Sequence, residues 1–385
     1  MLIASCGGNQ RDRDPVTEGL LHPTAENIPV ITDMRFVLAE DTSAADTGML
    51  VREADFLQAA VSTIGINEGE RQEMIGSILD VAAGDNTLFH LDGEYAEVRV
   101  YDQRGSLKQV VGSPGMAPGE FTYPEAVAVT GDASRFFVAD QAGYRIQVFQ
   151  RGGGIYELER TFLMPGEFTA GDICVMNGHV YATGYWEERD VVIHKITFAG
   201  EFIESFGQPY LADNLFVRSI LSDDGYLACN EQNGVVVYVN QNVPVLKAYD
   251  GAGTLLWRVK FADHNPMHVV ESRYDNGQPS VVYPSQMPGE SSFIRLITDP
   301  ITDSFIASYQ TASPEGESPE TVSRHYFSVP ASTGHGSYLG EHNLGTERQI
   351  PRPPRIMALD EEYVYTARSF PFPEIVIYNR ELVFE

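Results

Sequence analysis

Basic residues are scarce in this 385-residue chain: 26 Lys and Arg stand against 54 Asp and Glu, a formal net charge of −28. Affinity for nucleic acid rests on Lys and Arg meeting phosphates, so a nucleic-acid partner is excluded. The same deficit excludes electrostatic docking on anionic lipid. Long hydrophobic runs are missing too: no stretch of about 18 apolar residues reads as a membrane-spanning helix. Cysteine is limited to Cys6, Cys174 and Cys229, without a CxxC pair or the Cys/His spacing of a zinc site, which speaks against a structural metal. A GxSxG elbow, a P-loop and an HExxH helix are also lacking.

What is present points to β-structure. The apolar share is 43%, with 19 Tyr and 20 Phe, and 35 Gly and 22 Pro punctuate the chain from end to end. The length allows one large domain or two to three ordinary ones. Cys174 and Cys229 lie in the apolar runs Ile173-Cys174-Val175 and Leu227-Ala228-Cys229, where a thiol behaves as a small hydrophobe. Two free buried thiols are therefore expected, with a disulfide between them as the open alternative.

The opening Leu2-Ile3-Ala4-Ser5-Cys6 resembles a bacterial lipobox, in which the Cys is lipidated and becomes the mature N-terminus. Five residues are too few for a basic and apolar leader, so this reading requires a start upstream of Met1; the alternative is a coincidental Cys. Residues 1–27 are then a lipobox-like start and flexible tether, and 28–385 the folded domain. The implied address is the cell envelope, extracytoplasmic, on a lipid anchor at Cys6 with the outer membrane preferred.

The rest of the chain repeats. Tyr101-Asp102-Gln103-Arg104-Gly105-Ser106-Leu107 aligns with Tyr249-Asp250-Gly251-Ala252-Gly253-Thr254-Leu255 without a gap. Paired apolar runs recur about 46 residues apart, within the range of four-stranded propeller blades. Their first strands are Ile78–Val81, Ala126–Val129, Ile173–Val175, Ser219–Leu221, Leu296–Thr298 and Ile356–Leu359. This predicts an all-β, six-bladed β-propeller of four-stranded antiparallel blades. The last unit has three strands, and the run Val30–Leu38 is expected to supply the fourth and close the ring. Residues 262–291 read as a hairpin insertion, or else as a seventh blade. Residues 310–322 read as an acidic loop, and 43–60 as a short helix.

One unit carries a family signature. Pro118-Gly119-Glu120-Phe121-Thr122-Tyr123-Pro124-Glu125-Ala126-Val127-Ala128-Val129, then Phe137-Val138-Ala139-Asp140, then Arg145-Ile146-Gln147-Val148-Phe149 resembles an NHL repeat, with Ala126 in place of the usual Gly. The whole chain is similar to the six-bladed NHL-like propellers of predicted bacterial lipoproteins. The motif residues shape turns and core, so the resemblance implies a fold rather than a chemistry. Some eukaryotic NHL propellers bind RNA on a basic face, a precedent that the charge of this chain rules out. Lactonases and lyases of related shape hold calcium through a Glu/Asn/Asn/Asp set or zinc through histidines. Neither set recurs here, and His90 and His194 are expected to have structural, hydrogen-bonded roles.

Charged residues fall within a residue or two of each first strand: Asp80, Glu125, Asp172, Arg218, Arg295 and Arg355. Three acids followed round the ring by three arginines would give a channel mouth with two charged sides, suited to a carboxylate or zwitterion. The competing reading is that these charges neutralise one another. Asp299 and Asp303 flank a turn of the oxygen-rich kind that sometimes takes Ca²⁺, but a plain turn is preferred and no cofactor is expected. The functional expectation is a monomeric binding or interaction propeller for an unidentified protein or small molecule. The alternative is a hydrolase or lyase, metal-dependent or not, working at the central channel.

Overall fold

The computed structural model describes residues 30–31, 60–164, 168–209, 218–219, 222–223, 225–241, 245–261, 270–273, 277, 279–282, 291–312, 322–334, 336–343, 355–369 and 371–384. The architecture is a six-bladed β-propeller of antiparallel four-stranded blades. The innermost strands of blades 1 to 6 are Asp80–Gly84, Pro124–Val129, Ile173–Met176, Gly225–Asn230, Ser291–Asp299 and Arg355–Leu359. Each blade then runs outward in chain order.

Blade faces pack on blade faces, which explains the composition. The second strands, such as Arg135–Asp140, are covered on both sides and carry uninterrupted apolar runs. Inner strands crowd round the channel and use small side chains, among them Ala82, Ala83, Ala126 and Ala128. Among the described residues the buried apolar side chains fall into six clusters, one at each interface between neighbouring blades. Aromatic pairs give these layers their shape: Phe136 stacks on Phe149 at 4.7 Å, and both belong to the interface of blades 1 and 2.

Polar networks fix the connections between blades. Arg145 donates to Asp140 (2.7 Å) and to the Met116 and Glu120 carbonyls, while Asp140 accepts the N–H of Tyr123 at 2.8 Å. Blade 1 repeats the device with Asp92, which accepts from Gly76 and Ser77, and with Arg99, which donates to Glu97 and the Met74 carbonyl. These buried charges are paired and hydrogen-bonded, the condition under which burial is tolerated.

Three sequence expectations are corrected. The ring is closed by an N-terminal strand, but that strand is Ala60–Ile64, antiparallel to Glu374–Asn379 in blade 6. Val30–Ile31 instead pairs in parallel with Lys260 and Phe261 on the outer edge of blade 4. Closure selects the segment that fills the hydrophobic seam: Ile64 packs with Ile75, Ile375 and Ile377.

The second correction concerns blade 4. Its inner strand is Gly225–Asn230, not Ser219–Leu221, and residues 218–219 and 222–223 are helical. The connection from blade 3 is long, and its Ile220-Leu221 pair imitates a strand start.

The third correction concerns Cys174 and Cys229, which are disulfide-bonded rather than free.

Between blades 4 and 5, Val270–Arg273 and Pro279–Val282 form a separate two-stranded hairpin. The strands of blade 5 extend to Ala312 and resume at Val322, so the expected acidic loop is shorter at both ends. Its central residues 313–321 lie outside the described residues, as do Cys6, the rest of the tether and the helix expected over 43–60, apart from Ala60, which is strand.

Candidate functional site

The inner strands run side by side, so the residues that enter the ring meet at one end of the channel and those that leave it at the other; in blade 5, whose inner strand begins early at Ser291, the entering residue is Arg295, just past a bulge. At the starting end, Asp80, Asp172, Arg295 and Arg355 come together. Arg295 reaches across the ring to ion-pair with Asp80. The same Asp80 accepts the N–H of Val81 at 2.7 Å and, from the next blade, that of Val127 at 2.9 Å. Asp172 repeats this arrangement with Ile173 (2.9 Å) and Leu227 of blade 4 (2.8 Å). Each aspartate thus fastens the inner strand of one blade to that of the next.

The electrostatics follow from burial. Desolvation and the nearby Asp80 carboxylate push Asp172 up to about 7, against the pull of Arg295. Burial works against the charge of Arg295, but Asp80 and Asp172 outweigh it and hold the guanidinium above its ordinary range. Arg355 is held below its ordinary range by burial and by the positive charges of Arg295 and Arg324. Its Nε lies 3.0 Å from the Met357 sulfur, a weak acceptor.

Two expected members stand apart. Glu125 sits half-buried at a bulge between Pro124 and Ala126, where burial alone raises its carboxyl. Arg218 does not begin an inner strand. It pairs with Asp190 at 2.8 Å, in the turn between the second and third strands of blade 3. Its exclusion follows from the corrected start of blade 4.

Below the charged end lies a channel cavity of about 580 Å³. Val81, Val127, Ile173, Leu227, Leu296 and Met357 line it together with polar groups such as Gln103 and Thr298, and Arg295 is the one basic residue among those lining it. The opposite mouth is formed by the turns after the inner strands and carries Asp85, Glu231, Asp360, Glu361 and Glu362. The Cys174–Cys229 bridge joins the inner strands of blades 3 and 4 and forms part of the wall.

Sequence reasoning missed Arg324, which comes from the third strand of blade 5 and carries no repeat signal. It also missed the disulfide. With Ser219–Leu221 expected as the first strand of its unit, the run that holds Cys229 falls one strand further out than the one that holds Cys174. As inner-strand residues their Cα atoms are 5.6 Å apart.

The expected structural histidines have such partners. His194 lies between the Gly184 carbonyl (2.7 Å) and Ser205 Oγ (2.8 Å), stacked on Phe168, and His90 meets the Ser77 carbonyl at 2.9 Å. Asp299 and Asp303 make protein contacts: Arg380 pairs with Asp299 at 2.5 Å, and Asn230 donates to Asp303 at 2.6 Å. Among the described residues there is no group of three or more His, Cys, Asp or Glu placed to hold a metal ion.

Comparisons with known proteins give the fold. No protein-family model matches the chain. No curated protein matches it either. Solved structures do. A member of the DUF4221 family from Bacteroides vulgatus is 11% identical with a TM-score of 0.51, over 83% of this chain and 95% of that one. A candidate exported protein of Bacteroides fragilis is 10% identical, also at 0.51, over 83% and 94%. At these identities the likeness is one of fold alone.

Proposed function

We propose that this chain is an extracytoplasmic binding propeller that receives a small ligand in its central channel and is tethered to the outer membrane through a lipid on Cys6. The observation that carries the binding reading is the cavity itself: a channel lined by apolar and polar groups in about equal measure, of the size that suits a small organic molecule. Asp80 and Asp172 have both carboxylate oxygens engaged by backbone N–H groups, which suits a rigid binding frame better than acid–base chemistry. The disulfide supports the address, because such bonds persist in oxidising compartments. The lipobox-like Leu2–Cys6 supports the anchor. We further read the blades as NHL-type repeats, supported by the Asp140–Arg145 network in the blade that carries the motif and by its counterpart in blade 1.

Two experiments test this. Gly131 borders the acidic mouth, and a Cβ added there meets only Glu231, at 3.9 Å. Gly131→Trp is therefore made as a plug, with its melting temperature compared with that of the wild type. Small organic anions, cations and neutral molecules are screened by thermal shift against both forms; at least one class is expected to stabilise the wild type and not the plugged variant. Equal stabilisation of both would remove the channel from the proposal. For the anchor, cells are labelled with a palmitate analogue, and label is expected on the native protein and not on Cys6→Ala.

A further inference from the structure

Apart from the channel, blade 2 leaves an apolar surface open to solvent at the same end of the propeller as Asp80 and Asp172. Met116, Tyr123, Tyr144 and Leu163 all stand exposed there, Leu163 to 71%. Exposed apolar side chains scattered singly need no explanation, but these four share one rim. The Tyr144 carbonyl accepts the N–H of Met164 at 2.7 Å, and the Tyr123 carbonyl accepts that of Gln141 at 2.9 Å. Arg145, next to Tyr144 and paired in register with Leu163, donates to the Met116 carbonyl at 2.7 Å. Local structure does not account for the residues chosen. Tyr144 ends the short Gln141–Gly143 turn at φ 46° and ψ 45°, a left-handed conformation that suits Gly or Asn better than a bulky side chain.

The rim is also held in place. Arg145 on Asp140 at 2.7 Å and Gln147 on the Glu120 carbonyl at 2.6 Å tie its loops to the blade, so the surface loses little freedom when it is covered. Charge says what covers it. The turn between second and third strands carries Tyr144 in blade 2, Glu94 in blade 1, and Glu187 and Glu188 in blade 3, so exposed carboxylates flank the apolar rim on both sides. None of these three glutamates makes an ion pair among the described residues. The cations of the same end are engaged: Arg71 with Glu97, Arg218 with Asp190, and Arg189 over the Trp186 ring at 4.3 Å. A second copy of this chain would bring another charge of −28 to the contact, and an anionic lipid surface would be repelled in the same way. We infer that this rim of blade 2 docks a segment of a partner protein in which aromatic or aliphatic side chains stand between Lys or Arg residues. Tyr and Met are side chains that interface centres favour, and carboxylates around them steer a basic partner.

The probe is a random-peptide library displayed on phage, panned on the full chain after depletion on a rim variant that combines Tyr123→Ser, Tyr144→Asn and Leu163→Thr. All three side chains face solvent, so this variant is expected to melt with the wild type; should it melt early, Leu163→Thr alone takes its place. Selected peptides are expected to carry an apolar centre between Lys or Arg residues. In fluorescence anisotropy they are expected to bind the rim variant at least about tenfold more weakly than the wild type. A charge variant, Glu94→Gln with Glu187→Gln and Glu188→Gln, keeps the rim and removes its carboxylates. It is expected to bind the same peptides about tenfold more weakly at low salt, with a shallower dependence on ionic strength. The inference is overturned if the selected peptides are acidic or uncharged, if they bind either variant as well as the wild type, or if no peptide survives depletion. Other occupants are read with the same rim variant. A wild-type dimer in sedimentation that the variant loses assigns the surface to a second copy, and binding to phosphatidylglycerol vesicles that the variant loses assigns it to a membrane. Either result overturns the inference.

Discussion

Arg295 in blade 5 ion-pairs with Asp80 in blade 1, reaching past blade 6 across the channel and joining positions 215 apart in sequence. Both groups are largely withdrawn from water, so removing one partner leaves the other charged and uncompensated. Arg295→Met is expected to cost roughly 3–5 kcal/mol in urea unfolding. The loss arises because Asp80 and Asp172 then face each other without the guanidinium that pairs with Asp80. Adding Asp172→Asn is expected to recover part of it, and strictly additive costs would show that the two carboxylates do not interact.

A second prediction concerns pH. Burial pushes Asp172 up to about 7 in the folded chain, from the ordinary aspartate value of 3.8. Between those values the folded state holds a proton that the unfolded state has released, so this group lowers stability as pH rises from about 4 to about 7. His90 and His194 act in the opposite sense. Burial lowers both to about 4 from 6.5, so the unfolded chain binds protons that the folded chain refuses, and stability falls as pH drops from about 6.5 to 4. Each group contributes at most about 1.4 kcal/mol per pH unit. Relative to the wild type, Asp172→Asn is expected to steepen the decline in stability between pH 6 and pH 5, and His194→Gln to flatten it. Parallel urea series at the two pH values give the answer, and identical slopes in all three proteins would contradict it.

The closing strand supplies a third. Ile64 is 7% exposed and sits in the cluster that joins blade 6 to blade 1. Ile64→Ala is expected to destabilise the ring by roughly 2–5 kcal/mol. Val61, half exposed on the same strand, is expected to tolerate alanine with little change. Comparable losses at the two positions would show that the strand is held by its backbone bonds rather than by the seam.

The disulfide supplies the fourth. It closes a loop of 55 residues, for which chain entropy gives a stabilisation of about 4 kcal/mol. Cys174→Ala with Cys229→Ser is expected to lower the denaturation midpoint accordingly while leaving the far-ultraviolet circular dichroism unchanged. The intact mass of the unreduced protein, taken after alkylation, should show neither of these two thiols modified.

The architecture was legible where a repeat impresses its spacing on the chain. Blade 2 could be read residue by residue, because Gly119, Pro124, Asp140, Arg145 and Gln147 form one local network: Gly119 donates to Gln147, Gln147 to the Glu120 carbonyl, and Arg145 to Asp140. Blade 4 was misread by one strand because a long connection carried its own apolar pair. That single slip placed Arg218 at the channel and hid the disulfide.

The sequence by itself determined the six-fold alternation of strands and turns, the aspartates at the starts of two inner strands and the net negative charge. These depend on neighbours in the chain, or on totals over it. Tertiary structure alone decided which N-terminal segment closes the ring, that Cys174 meets Cys229, and that Arg324 joins Arg295 and Arg355. Each of these depends on which edges and faces come together when six blades curl into a closed circle. Val30–Leu38 has as much strand character as Ala60–Ile64, and only the fit of Ile64 against Ile75, Ile375 and Ile377 chooses between them.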